Sequence, residues 1–142
     1  MKTVGFTGAR AGMTGGQRAA FRQALTDLSP THFVHGDCEG ADADAHKLMQ
    51  ALQPAVSIRI RPAKSSRRAG SQGADEVCDA RPPLARNRDI VHDADVLVAC
   101  SPSPHEVTRS GTWATVRYAR KKRTPVVLLW PDGHVTTERL DP

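Results

Sequence analysis

At 142 residues, with a formal charge of +5 and 39% apolar and 25% charged residues, the chain has the size and make-up of one globular domain around a single core. No apolar run approaches the ~18–20 residues of a membrane span, and Met1-Lys2-Thr3-Val4-Gly5 runs straight into a strand pattern, so neither a membrane partner nor a leader peptide is expected. Cys38, Cys78 and Cys100 are odd in number and widely spaced, forming neither a disulfide framework nor a CxxC pair, which fits a cytoplasmic protein.

Lys2 to Phe6 reads as a buried strand that opens onto Thr7-Gly8-Ala9-Arg10. Thr14-Gly15-Gly16-Gln17 is a capping box, and behind it Ala20, Phe21, Ala24, Leu25 and Leu28 recur at helical spacing. Ser29-Pro30 ends that helix, and Thr31 to His35 is a second strand. Ala41 to Leu52 is a second helix with Ala45, Leu48, Met49 and Leu52 on one face, closed by Pro54. Val56 to Ile60 is a third strand. Residues 61–83 carry Pro, Gly, Ser and many charges with little periodicity, a loop long enough to suggest function or mobility. A third helix is expected over Leu84 to His92, a strand over Val96 to Cys100, and an irregular loop over Ser101 to Arg109. Thr112 to Lys122 reads as a fourth helix with Val116 and Ala119 inward, and Pro125 to Trp130 as a fifth strand. After the Pro131-Asp132-Gly133 turn, a polar tail is expected from about residue 134. Strands alternating with helices predict one doubly wound, Rossmann-like α/β domain over residues 1–142, with a mainly parallel five-stranded sheet and helices on both faces.

In such sheets ligands bind beyond the carboxyl ends of the strands. Three strand-to-helix junctions fall there. The first, Gly5-Phe6-Thr7-Gly8-Ala9-Arg10, lacks the G-x-G-x-x-G spacing, and no P-loop is present; its guanidinium suits a phosphate or, equally, solvent. The second packs His35, Asp37, Glu39, Asp42 and Asp44 around Gly36 and Gly40. Asp42 either caps the second helix or joins Glu39 as an acid that grips ribose or acts in acid–base chemistry. The third, Arg109-Ser110-Gly111-Thr112, offers hydroxyls and free amides at a helix start, where a cap and an anion site are compatible. Arg86 and Asn87 reach toward the same pocket. Thr7, Gly8, Arg10, Gly36, Asp37, Gly40, Ala41, Asp42, Arg86, Asn87, Ser110, Gly111 and Thr112 are therefore the expected ligand-binding set, with Asp42, Glu39 and Arg86 as the catalytic candidates if there is chemistry.

No cofactor is expected. A metal is the main rival use of His35, Asp37, Cys38, His46, Cys78 and His105, but no second Cys/His pair completes a zinc module, so none is expected. A Cys38–His35 nucleophile lacks a third group to orient it. Trp113 and Trp130 are expected in the core or at its rim. Of two basic clusters, Arg117 to Arg123 complements a helix end, and Arg59, Arg61, Lys64, Arg67 and Arg68 offer a surface for phosphate or nucleic acid.

Taken together, Gly5-Phe6-Thr7-Gly8-Ala9-Arg10, the Gly-x-x-x-Gly-Ala-Asp of Gly36 to Asp42, Arg86-Asn87 before Ala94-Asp95, and Ser110-Gly111-Thr112 resemble the SLOG superfamily, from about Thr3 to Gly133. That superfamily groups Rossmann-like nucleotide binders related to the lonely-guy phosphoribohydrolases and to the DNA-processing protein A family, and the likeness is to its small bacterial and phage members. The resemblance implies a nucleotide or nucleotide-derived (phosphoribosyl or ADP-ribose-like) ligand, sensed or sequestered; an N-glycosidase is the alternative, and DNA binding a second one. Related folds often pair, so a homodimer is expected. Arg86, Ile90 and Asp95 match the hydrolase pattern, but its glutamate should fall near Ala114 or Thr115, and neither is acidic. The resemblance therefore implies binding more strongly than hydrolysis.

Overall fold

The computed structural model describes residues 2–65 and 67–140. Its strands are β1 (Thr3–Gly8), β2 (His32–His35), β3 (Ser57–Ile60), β4 (Glu76–Val77), β5 (Val96–Cys100), β6 (Val126–Leu129) and β7 (Val135–Glu138), and its helices α1 (Gly15–Leu28), α2 (Ala41–Leu52), α3 (Pro83–Asp93) and α4 (Gly111–Lys121). They form one sheet in the order β4-β3-β2-β1-β5-β6-β7. All neighbours are parallel except β6 and β7.

The fold is thus the expected doubly wound α/β class, with seven strands instead of five. Both additions lie at the edges. β4 is a two-residue strand inside the 61–83 stretch, too short for any periodicity to reveal. β7 takes up part of the expected polar tail: Val135, Thr136 and Thr137 are exposed, so the segment reads as polar although it pairs with β6.

Strand periodicity divides the core. Val98 and Cys100 of β5 and Val127 and Leu129 of β6 face α1 and α2, where Phe6, Phe21 and Phe33 meet edge-on or tilted within 6.0 Å. Leu97 and Ala99, with Val126 and Leu128, face Ile90, Val91, Trp113, Val116 and Ala119 of α3 and α4. Successive residues of a strand point to opposite faces, so an uninterrupted apolar run such as Val96–Cys100 marks a strand covered on both sides.

The capping box of α1 forms in full: the Thr14 hydroxyl accepts the Gln17 amide at 3.0 Å, and Gln17 Oε1 accepts the Thr14 amide at 3.1 Å. Gln17 Nε2 also donates to the carbonyls of Ser101 and Leu129, fixing α1 to the ends of β5 and β6. From β1 the chain winds outward to β4, then returns to β5 on the other side of β1. Loops leaving β1 and β5 therefore diverge, and a crevice opens where the winding reverses.

Candidate functional site

That crevice is a cleft of about 440 Å³. One wall is the end of β1 and the turn after it, Phe6 to Arg10. The opposite wall is Arg109 to Thr112 at the start of α4, with Pro102. The floor is Cys38 and Asp42 from the β2–α2 junction together with Pro83, Arg86, Asn87 and Ile90 of α3.

Of the expected ligand-binding residues, Thr7, Gly8, Arg10, Asp42, Arg86, Asn87, Ser110, Gly111 and Thr112 come together here. Gly36, Asp37, Glu39, Gly40 and Ala41 do not line the cleft; of these, Gly36, Gly40 and Ala41 shape it from behind. Ala41 is fully buried, and a Cβ on Gly8 would sit 2.5 Å from its own Cβ, so the missing side chain lets α2 lie against β1. Gly40 has φ +91°, and a Cβ there would overlap the backbone of Arg10. A Cβ on Gly36 would overlap the Arg86 guanidinium. By contrast, a Cβ on Gly111 would meet nothing within 4 Å.

Arg86 is only 8% exposed. Its Nη1 donates to the carbonyls of Gly36 at 2.9 Å and Arg61 at 3.3 Å, its Nε to Asn87 Oδ1 at 2.8 Å, and its Nη2 points at Cys38 Sγ at 3.5 Å. All four partners are neutral. Among the described residues no carboxylate forms an ion pair with it, an unusual state for a buried cation.

Asp42, 5% exposed, is the only carboxylate among the residues lining the cleft. Its Oδ2 accepts the Cys38 amide at 3.0 Å. Burial pushes its pKa up to about 6, against the opposing pull of that amide and of Arg86. Cys38 is raised as well, by burial first and then by the Asp42 charge, so it is a thiol at neutral pH. In the sequence Cys38 reads as a metal-ligand candidate or a partner for His35, and it falls outside the expected ligand set. Its position in the turn after β2, between Asp37 and the helix start, was the available signal.

The rest of the acidic junction is structural. The Asp37 carboxylate, fully buried, accepts Arg68 Nε at 3.0 Å and the amides of Gly70 and Ser71 at 3.1 and 3.0 Å. Burial alone would raise its pKa, but the Ser71 and Arg68 hydrogen bonds outweigh that and leave it lowered. Asp44 accepts the Met13 amide and pairs with Arg18, which fastens the turn after β1. Glu39 is exposed.

His35 and His46 are not poised as ligands. Asp37 N–H donates to His35 Nδ1, His35 Nε2 lies 2.8 Å from His46 Nδ1, and His46 Nε2 lies 2.7 Å from the Gln72 carbonyl. A donor at one end and an acceptor at the other fix one direction, with the proton of each ring on Nε2. Burial, and then His46 and Arg86, lower the His35 pKa to about 3. His35 therefore has no nitrogen free for Cys38. No cluster of three or more His, Cys, Asp or Glu residues suited to a metal occurs among the described residues.

On the opposite wall, the Ser110 hydroxyl caps α4 by accepting the Trp113 amide at 3.2 Å. Trp113 is buried and donates to Ser101 Oγ; Trp130 packs beside it at the rim. Thr115, at the place of the hydrolase glutamate, is fully buried and donates to the Gly111 carbonyl. Ala114 lies outside the cleft lining. Glu106 binds Arg117 and Arg120, also away from the cleft.

The first basic cluster is neutralised in part, at three of its five cations. Arg59 pairs with Glu76 and Asp93, Arg61 with Asp93, and Arg68 with Asp37. The 61–83 stretch is stitched to the end of β2 rather than arched over the cleft: Glu39 N bonds the Arg67 carbonyl, and Ala69 N the Asp37 carbonyl. None of the described residues from 61 to 81 lines the cleft, so a lid from this segment is not what the structure holds.

No protein-family profile and no curated protein matches the chain. Solved structures do resemble it. A molybdenum cofactor binding protein from the phototrophic bacterium Rippkaea orientalis superposes with a TM-score of 0.68 at 21% identity, over 91% of this chain and 76% of that one. The Moco carrier protein from Chlamydomonas reinhardtii gives a TM-score of 0.62 at 20% identity, over 89% of this chain and 75% of its own. At these identities the likeness is one of Rossmann-like fold.

Proposed function

We propose that the cleft binds a phosphate-bearing, nucleotide-derived small molecule, and that the protein is a SLOG-type sensor or sequestering module. The observation that carries this reading is Arg86: a buried guanidinium on the floor of a cleft, without a carboxylate partner among the described residues. Two further supports face it. Arg10 and Arg109 line the rim, and α4 begins at an uncrowded Gly111, where free amides and the dipole favour an anion. A single domain, a cytoplasmic location and a bacterial or phage origin belong to the same reading, as does pairing into homodimers. Among the described residues no helix is long and apolar enough to cross a membrane. With Arg59, Arg61 and Arg68 paired to carboxylates, the cluster at 59–68 gives DNA binding little support. Isothermal titration with nucleotides, ADP-ribose and ribose 5-phosphate tests the proposal; failure of every phosphorylated compound to bind would refute it.

The molybdenum cofactor, which gives two fold neighbours their names, is a second candidate cargo and belongs in the same panel. An N-glycosidase is the alternative activity. One observation favours it: Asp42, with a pKa of about 6, suits a general acid, while Glu39 and Glu106 lie outside the cleft lining. Release of free base by wild type, abolished in Asp42→Asn, would establish it.

A further inference from the structure

We infer that the floor of the cleft reads the lactam edge of an oxo-substituted ring, a carbonyl beside a ring N–H, and so selects guanine-like or oxopterin rings over adenine. The inference rests on the nucleotide-derived reading above and names the class of ring.

Two charged groups carry it. Arg86 and Asp42 both line the cleft and are 8% and 5% exposed. Their ends converge over Gly36: a Cβ there would overlap the Arg86 guanidinium and lie 3.2 Å from Asp42 Oδ2. Yet the two do not pair. Neither takes part in an ion pair among the described residues. Arg86 donates to carbonyls, to an amide oxygen and toward a thiol, and Asp42 accepts a backbone amide.

A guanidinium only donates and a carboxylate only accepts. Side by side at the bottom of one cleft, they present a donor next to an acceptor. The two charges act on each other at a distance but share no direct hydrogen bond, and a ligand with the inverse pair bonds both at once. A lactam is that inverse: its carbonyl accepts from Arg86 and its N–H donates to Asp42. A 2-amino group, as in guanine and oxopterins, adds a donor for the second carboxylate oxygen. Held in the same orientation, adenine reverses the order, setting a ring-nitrogen acceptor against the carboxylate and an amino donor against the guanidinium, which sets like against like.

The test is titration of the full chain with GMP, IMP, AMP, ribose 5-phosphate and neopterin. GMP and IMP should bind at least about tenfold more tightly than AMP. Asp42→Asn turns one acceptor into a donor. It should bring GMP and AMP to within about twofold of each other, with ribose 5-phosphate titrated alongside to read any separate effect on the sugar contact. Neopterin binding more tightly than GMP, with the same sensitivity to Asp42→Asn, would support the lactam reading and assign the ring to a pterin. GMP binding more tightly would assign it to a nucleotide. AMP binding as tightly as GMP, with ribose 5-phosphate still bound, would overturn the ring assignment alone. If no phosphorylated compound binds, the underlying reading falls too. The wild-type comparison stands even if the variant does not fold.

Discussion

The Asp37 carboxylate, fully buried at the end of β2, holds the Nε of Arg68 at 3.0 Å, thirty-one residues away in sequence. With the Gly70 and Ser71 amides on the same carboxylate, this contact sets the path of the long basic loop. Asp37→Ala should cost roughly 2–4 kcal/mol, as expected when a buried, multiply bonded charge is deleted. It should also open 61–81 to protease. Urea denaturation and limited proteolysis check both effects. In wild type the loop should resist cleavage with or without nucleotide, and strong protection by added ligand would show that it closes over the cleft after all.

Gly40, behind the Phe6–Arg10 wall, and Gly111, on the opposite wall, should respond differently to added bulk. Gly40→Ala meets both a φ of +91° and the Arg10 backbone, so a loss above ~3 kcal/mol is expected. Gly111→Val has open space before it and should leave thermal stability nearly unchanged while blocking the anion position. Comparing melting temperature with ligand titration for the two variants separates these outcomes.

Arg10→Ala removes an exposed cation at the rim of the cleft. Loss of one charge-assisted contact of ~1.5–3 kcal/mol should weaken a phosphorylated ligand about tenfold or more. Stability should not change, because no ion pair of Arg10 is found among the described residues. Equal affinity in wild type and variant would remove Arg10 from the site.

Acid should reveal two groups that work against each other. His35 is held at about 3 against 6.5 when free, so between those values the unfolded chain binds the extra proton and stability rises with pH. Asp42 is held at about 6 against 3.8, so over its window the folded chain binds the proton and stability falls as pH rises. Each contributes at most about 1.4 kcal/mol per pH unit. The two should largely cancel between about pH 4 and 6. Asp42→Asn removes one of them, and its stability should then fall steadily as pH drops from 6.5. Denaturant melts across this range check it: parallel wild-type and Asp42→Asn curves would show that Asp42 is not held as described, and a variant whose stability does not fall with acid would show the same of His35.

Much of this architecture was legible because its signals are local. The capping box at Thr14 and Gln17, the apolar run at Val96–Cys100 and the helical spacing of Ala45 and Met49 need only near neighbours to be read. The cleft was legible in part, since Arg86, Asp42 and Gly111 lie where strands end. Long-range pairing was not. Nothing near Asp37 in sequence announces that Arg68 will neutralise it, nor that His35 and His46 will exhaust each other's nitrogens. An acidic cluster looks the same whether its charges face a ligand or hold a distant loop.

The contact between Gly8 and Ala41 has a practical bearing on redesign. With β1 and α2 already packed together across the missing side chain of Gly8, that wall offers nothing to trim and nowhere to add. Any attempt to enlarge the cleft or retune its preference must work from the α4 side and the floor, where Gly111, Thr112 and Asn87 stand in the lining. A library that spares 8, 36, 40 and 41 and varies those three positions should yield folded variants at a much higher rate than one drawn evenly across all three junctions.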